Sequence, residues 1–216
     1  METLTLETLK SYAAEFAIAF GKIPIPELYG VNNGKIVGTA VELTFHQHLE
    51  KRFIHHAGNA ASGIDLPELN LDLKATSVRQ PQSSCPFRSA SQKVYGLGYH
   101  LLVFVYDKVD DSETRTATLN FQRVIFIDAD YTADFQTTRG ILEILKRGGN
   151  KDDIIGFLED RNLPLEEIGR ADLAERILSE PPREGVLTMS NALQWRLQYG
   201  RAIGVAGEQA GVEKLL

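Results

Sequence analysis

The chain has 216 residues, 43% of them hydrophobic and 24% charged, enough to bury a full core as one domain or as one domain with a helical appendage. A net charge of −6 argues only weakly against a nucleic-acid partner, since the distribution of charge matters more than its sum, and the single cysteine, Cys85, excludes an intramolecular disulfide and fits a reducing cytoplasm. No apolar run approaches the roughly 20 residues that cross a bilayer, and Met1–Leu6 lacks the basic-then-apolar order of a secretory leader, so a cytoplasmic protein is expected.

In chain order, Leu6, Leu9, Ala13, Phe16 and Phe20 recur at helical spacing and predict a helix over Leu4–Phe20. Gly21 ends it, and the Ile23-Pro24-Ile25-Pro26 run cannot continue it. After the Asn32-Asn33-Gly34 turn, the stripe Val37, Val41, Phe45, Leu49 and Phe53 predicts a second helix over Ile36–His56 with one buried face. Gly58–Gly63 reads as a loop. Leu69, Leu71, Leu73 and Ala75 then alternate with Asn70, Asp72, Lys74 and Thr76, the period of a half-buried strand, which puts Asp72 and Lys74 on one face.

Val78–Phe87 reads as a polar loop and Ser89–Tyr95 as a short helix. His100–Tyr106 is almost wholly apolar, as a strand buried on both faces would be, and Thr116–Ile127 returns as another strand. Helices are predicted at Thr132–Arg147, Lys151–Asp160, Arg170–Ser179 and Asn191–Ile203, with Asn150 and Ser190 as N-caps. Helices, then strands, then helices predict an α/β fold: a mixed sheet flanked by helices in residues 1–130 and a helical C-terminal part in residues 131–216, packed on the same domain.

The chemistry gathers around Gly63-Ile64-Asp65 and Asp72-Leu73-Lys74. Hydrolysis of a phosphodiester needs an activated water and charge stabilisation at phosphorus and at the leaving oxygen, and carboxylates that hold Mg²⁺ provide for all three. Asp65 and Asp72 supply hard oxygen ligands. Lys74, one pleat beyond Asp72, can orient the water and steady charge on the phosphate. Glu42, beside the apolar stripe of the second helix, can be aimed at the same cluster, with His46 one turn later.

An acidic helix residue followed by Gly-x-Asp and, after a short gap, Asp-x-Lys resembles the PD-(D/E)xK nuclease superfamily. The run Pro67-Glu68-Leu69-Asn70-Leu71-Asp72-Leu73-Lys74-Ala75-Thr76-Ser77, followed by Gln80-Pro81-Gln82-Ser83-Ser84, is similar to type II restriction endonucleases. The resemblance covers roughly Val37 to Phe126. It implies a restriction-endonuclease-like fold and a Mg²⁺-dependent (or Mn²⁺-dependent) sequence-specific endonuclease of double-stranded DNA. It further implies a homodimer accompanied by a protective DNA methyltransferase. By position it implies Asp65 and Asp72 as metal ligands, Lys74 as catalytic lysine and Glu42 as an auxiliary acid. Pro67-Glu68 also matches the first half of the motif, but Glu68 falls only four residues before Asp72. A repair or structure-specific nuclease of the same fold, or a non-catalytic DNA-binding module, would share these features.

From Leu69 to Tyr106 Asp72 is the only acid, while Lys74, Arg79, Arg88 and Lys93 are basic. The Gln- and Ser-rich loop with Arg79, Gln80, Gln82, Ser83, Ser84 and Arg88, together with Lys93 on the following helix, offers groups that pair with base edges and phosphates. His46, His48, His55 and His56 suggest zinc, but His46 and His48 on one helix point about 200° apart and no cysteine cluster accompanies them.

Overall fold

The computed structural model describes residues 2–54, 63–85, 88–190 and 195–216. Along the chain the strands and helices run β1 (Glu2–Thr3), α1 (Leu6–Phe20), α2 (Gly34–Arg52), β2 (Phe53–Ile54), β3 (Leu71–Ser77), β4 (Gln82–Cys85), α3 (Gln92–Tyr95) and β5 (His100–Asp111). They continue with β6 (Thr116–Ile127), α4 (Phe135–Lys146), α5 (Lys151–Asp160), α6 (Glu167–Ser179), β7 (Thr188–Met189), β8 (Trp195–Gln198), α7 (Gly200–Val205) and β9 (Val212–Lys214). Two units form from them. One comprises Met1–Ser83, His100–Ile127 and Val205–Leu216, the other Ser84–Tyr99 and Asp128–Gly204.

In the first unit α1 starts where Thr5 and Thr8 cap each other, the Thr5 hydroxyl accepting the Thr8 amide at 3.2 Å. It buries Leu9, Ala13, Phe16, Ala17 and Phe20. At its end a Cβ on Gly21 would come within 2.9 Å of the carbonyl oxygens of both Ala17 and Leu119, so only glycine lets the helix close this tightly on β6. Asn33 caps α2, accepting the Lys35 amide at 2.9 Å. Val37, Gly38, Val41, Phe45 and Leu49 form its buried face. The helix stops at Arg52, short of the expected His56, because Phe53 and Ile54 pair in parallel with Glu2 and Thr3. His55, His56 and most of the expected Gly58–Gly63 loop lie outside the described residues.

The main sheet is mixed, in the order β3-β5-β6-β9. β3 runs parallel to β5, with Asp72 beside Leu101 and Lys74 beside Val103. β5 and β6 form a long antiparallel hairpin with a bulge at Val105/Tyr106, and β9 pairs antiparallel with β6. Leu71, Leu73, Leu102, Phe104, Tyr106, Leu119, Val124 and Phe126 join the α1 and α2 residues in one core, in which the Phe104 ring lies edge-on to Phe16 and Phe45. Leu101, Val103 and Val105 on the opposite pleat are also buried, so β5 is covered on both faces, as its apolar run predicts. The same holds at the start of β3: Asp72 is only 6% exposed, where simple alternation predicts a wet face.

The second unit is built on helices. Asp134 caps α4, its Oδ2 accepting the Thr137 amide and hydroxyl at 2.9 and 2.7 Å and its Oδ1 accepting the Met189 amide at 2.8 Å. The helix therefore begins at Phe135, not Thr132. Asn150 and Asp153 cap α5 reciprocally, as Asn150 predicts. Ile141, Ile144, Ile154, Leu158, Leu173, Ala174 and Ile177 close the core of this unit. A small sheet, β4-β8-β7, accompanies the helices. It corrects two expectations. Val78–Phe87 is not all loop, since Gln82–Cys85 is a strand, and the expected helix Asn191–Ile203 is instead β8 followed by α7, with residues 191–194 outside the description. Among the described residues Ser190 caps no helix; it exchanges bonds with Arg196, its amide donating to the Arg196 carbonyl at 3.1 Å and its hydroxyl accepting the Arg196 amide at 3.0 Å.

Candidate active site

The site is set by one tight turn. Leu66 and Leu71 form an antiparallel pair, each amide donating to the other's carbonyl at 2.9 and 3.1 Å. Between them Pro67–Leu69 makes one turn of 3₁₀ helix, and Asn70 (φ 48°) takes the left-handed conformation that closes it, which asparagine tolerates better than most residues. In this register the residues one step outward from the Leu66–Leu71 pair, Asp65 and Asp72, stand opposite each other. Asp65 is pinned there, its Oδ2 accepting the Leu73 amide at 2.7 Å. Glu68 rides on the turn itself and is exposed.

Lys74 lies one pleat along from Asp72 and reaches back, its Nζ 2.7 Å from Asp72 Oδ2. Glu42 enters from α2. A Cβ on Gly38, one turn before it, would lie 3.4 Å from the Ala75 carbonyl oxygen, so this part of α2 runs close over β3. Glu42 and Lys74 feel each other's charge, and so do Glu42 and Asp65. The structure therefore brings Asp65, Asp72, Lys74 and Glu42 into one electrostatic cluster.

Its energetics are those of a crowded, poorly hydrated anion site. Burial pushes the Asp72 carboxyl up to about 7; Lys74 pulls against this and Asp65 adds to it. Burial likewise lifts Glu42 to about 7, against Lys74 and with Asp65. Burial alone would lower Lys74, but Asp72, Asp65 and Glu42 outweigh it and hold the ammonium above the usual lysine range. One cation thus faces three carboxylates. Among the described residues no three histidine, cysteine or acidic side chains are gathered tightly enough to hold an ion as they stand.

The expected DNA-contact residues fall in both units. Arg79 is exposed, with its Nε 3.7 Å from Asp107 Oδ1. Gln82 is tied to β3, its amide donating to the buried Thr76 hydroxyl at 2.9 Å, while that hydroxyl donates to the Gln82 carbonyl at 3.1 Å. Gln80 pairs with Ser77 across this narrow loop. Ser84 and Arg88 are exposed in the second unit. Lys93, only 3% exposed, is held within that unit near Asp134; burial lowers its ammonium, against Asp134 and with Arg161.

The family of the type II restriction enzyme NspV matches residues 3–214. The curated type II restriction enzyme NspV of Nostoc sp. (strain ATCC 29411 / PCC 7524) is 56% identical over 212 residues, covering 98% of this chain and 96% of that protein. The chain belongs to this family. It is a type II restriction enzyme, a site-specific deoxyribonuclease, and its mixed sheet with flanking helices is a restriction-endonuclease-like fold. No solved structure matches it. Among the described residues, no helix of the restriction enzyme is long and apolar enough to cross a membrane.

Proposed function

We propose that this restriction enzyme hydrolyses DNA at the Asp65–Asp72–Lys74 cluster, with Mg²⁺ (or Mn²⁺) held by Asp65 and Asp72 and assisted by Glu42. The observation that carries this is the turn register that sets Asp65 opposite Asp72 with Lys74 bound to the second carboxylate. The donor set suits a hard divalent cation: all oxygen, all anionic when ionised, and short of positive charge. When bound, such an ion activates water and offsets charge at the phosphate.

The protein's own residues do the rest. The Leu73 amide fixes the Asp65 carboxylate, and the turn fixes Asp72 against it. Lys74, strongly cationic, orients the attacking water and balances the charge that grows on the phosphate oxygens. Water attacks phosphorus in line and the 3′ oxygen leaves. Arg79, Gln80, Gln82, Ser83, Ser84 and Arg88 are candidates for DNA contact; Lys93, expected among them, is buried in the structure. Two strands must be cut at one site, which favours a twofold homodimer. A companion DNA methyltransferase and a cytoplasmic location complete the reading.

Plasmid digestion with Mg²⁺ and with EDTA tests it: discrete fragments should form only with the metal. Asp72→Ala should remove cleavage while circular dichroism and melting show an intact fold. Wild-type cutting by that variant would sink the assignment.

A further inference from the structure

The small sheet of the second unit has two unlike faces. Leu197 and Tyr199 are fully buried, Met189 is 4% exposed and Cys85 2%. On the alternate pleat Arg196, Gln198 and Ser84 are exposed. β7 and β8 are antiparallel, with Thr188 opposite Gln198 and Met189 opposite Leu197, so Thr188 stands beside Gln198 on the polar face. Among the described residues, neither the Arg196 guanidinium nor the Gln198 carboxamide has a hydrogen-bond or ion-pair partner. Five other arginines of this unit do: Arg139 binds Glu143, Arg170 Glu159, Arg176 Glu180, Arg183 Asp130 and Arg201 Glu184.

A strand backed by buried side chains holds its outward residues in fixed directions, and residues two apart stand roughly 6.8 Å from each other. That is about two base-pair steps of 3.4 Å. A two-stranded ribbon fits the major groove, where arginine pairs bidentately with guanine O6 and N7 and glutamine with adenine N6 and N7. We propose that the exposed face of β7 and β8 reads base edges in the major groove, with Arg196 selecting a guanine and Gln198 an adenine about two positions away. This rests on the chain being a sequence-specific DNA endonuclease, but not on the metal cluster.

The test is selection of bound duplexes from a random pool, with Ca²⁺ in place of Mg²⁺ so that no cleavage is needed. Wild type should select one motif. Arg196→Ala should lose preference at one guanine and Gln198→Ala at one adenine, each by roughly 5- to 150-fold, with the other positions kept. Arg196→Lys keeps the charge but not the fork and should also lose the guanine, with an unchanged salt dependence of binding. An unselective wild type, an unchanged motif in the variants, or a uniform loss of affinity rescued by Arg196→Lys would each overturn the proposal. The last result would mean a phosphate contact. Failure of the metal cluster instead appears as cleavage by Asp72→Ala, with this selection unaffected.

Discussion

The two sheets treat polar side chains in opposite ways. In the β3-β5-β6-β9 sheet the charged pair Asp72 and Lys74 is drawn into the protein, and the carboxyl is pushed up to about 7 by burial. In the β4-β8-β7 sheet Arg196 and Gln198 are left in water above a fully buried Leu197 and Tyr199. Burying a charge without full compensation costs several kcal/mol, so a fold that keeps one has stored unfavourable electrostatics there. Leaving polar groups in water costs little, and it lets them exchange water for another partner. One sheet keeps its charges poorly hydrated, the other leaves its polar groups open to a partner.

The contrast can be broken by measuring stability. Phe104→Ala, at the centre of the first sheet's core, should cost about 3–5 kcal/mol in urea unfolding; a loss under 1 kcal/mol would mean that the core is not continuous there. A smaller effect is expected at the charged cluster. Glu42 and Asp72 hold their protons more tightly folded than unfolded, since both are raised from ordinary carboxylate values to about 7. Their contribution to stability is therefore complete below about pH 4 and lost as pH rises through about 7. Metal-free protein should weaken across that window, and Glu42→Gln should reduce the total loss across it by about 3 kcal/mol. A pH series of melts in EDTA with the same slope in both proteins would contradict this. Smallest of all, Arg196→Ala and Gln198→Ala should change unfolding free energy by no more than about 0.5 kcal/mol. A larger loss would show that these side chains brace the sheet rather than wait for a ligand.

Much of the first unit was legible because its signals are local. The α1 and α2 stripes, the apolar run of β5 and the limits of β6 all follow from side-chain period. Asp72 and Lys74 share a face for the same reason. The burial of that face was not legible, because it depends on what covers the strand rather than on the strand. Nor was the register of the turn. It rests on a reciprocal Leu66–Leu71 pair and a left-handed Asn70 that no periodicity encodes. β8 carries a weaker signal: Arg196, Leu197, Gln198 and Tyr199 alternate, yet the stretch is short and lies beside the helix-forming run that becomes α7. Lys93 shows the converse, a lysine in a basic segment that is buried within reach of the charge of Asp134, 41 residues away along the chain.

The strand β9 returns to the first unit only after the whole of the second has passed. Val212–Lys214 pairs with β6, the amides of Leu215 and Leu216 both donate to the Val124 carbonyl, and Lys10 on α1 binds Glu213 at 2.7 Å. During synthesis residues 128–204 therefore emerge before the sheet that carries Asp72 can gain its last strand. The order of synthesis thus completes the second unit's residues while the first unit still lacks the partner of β6. Until β9 arrives, the sheet that carries Asp72 lacks the strand that pairs with β6 at Ile125–Ile127.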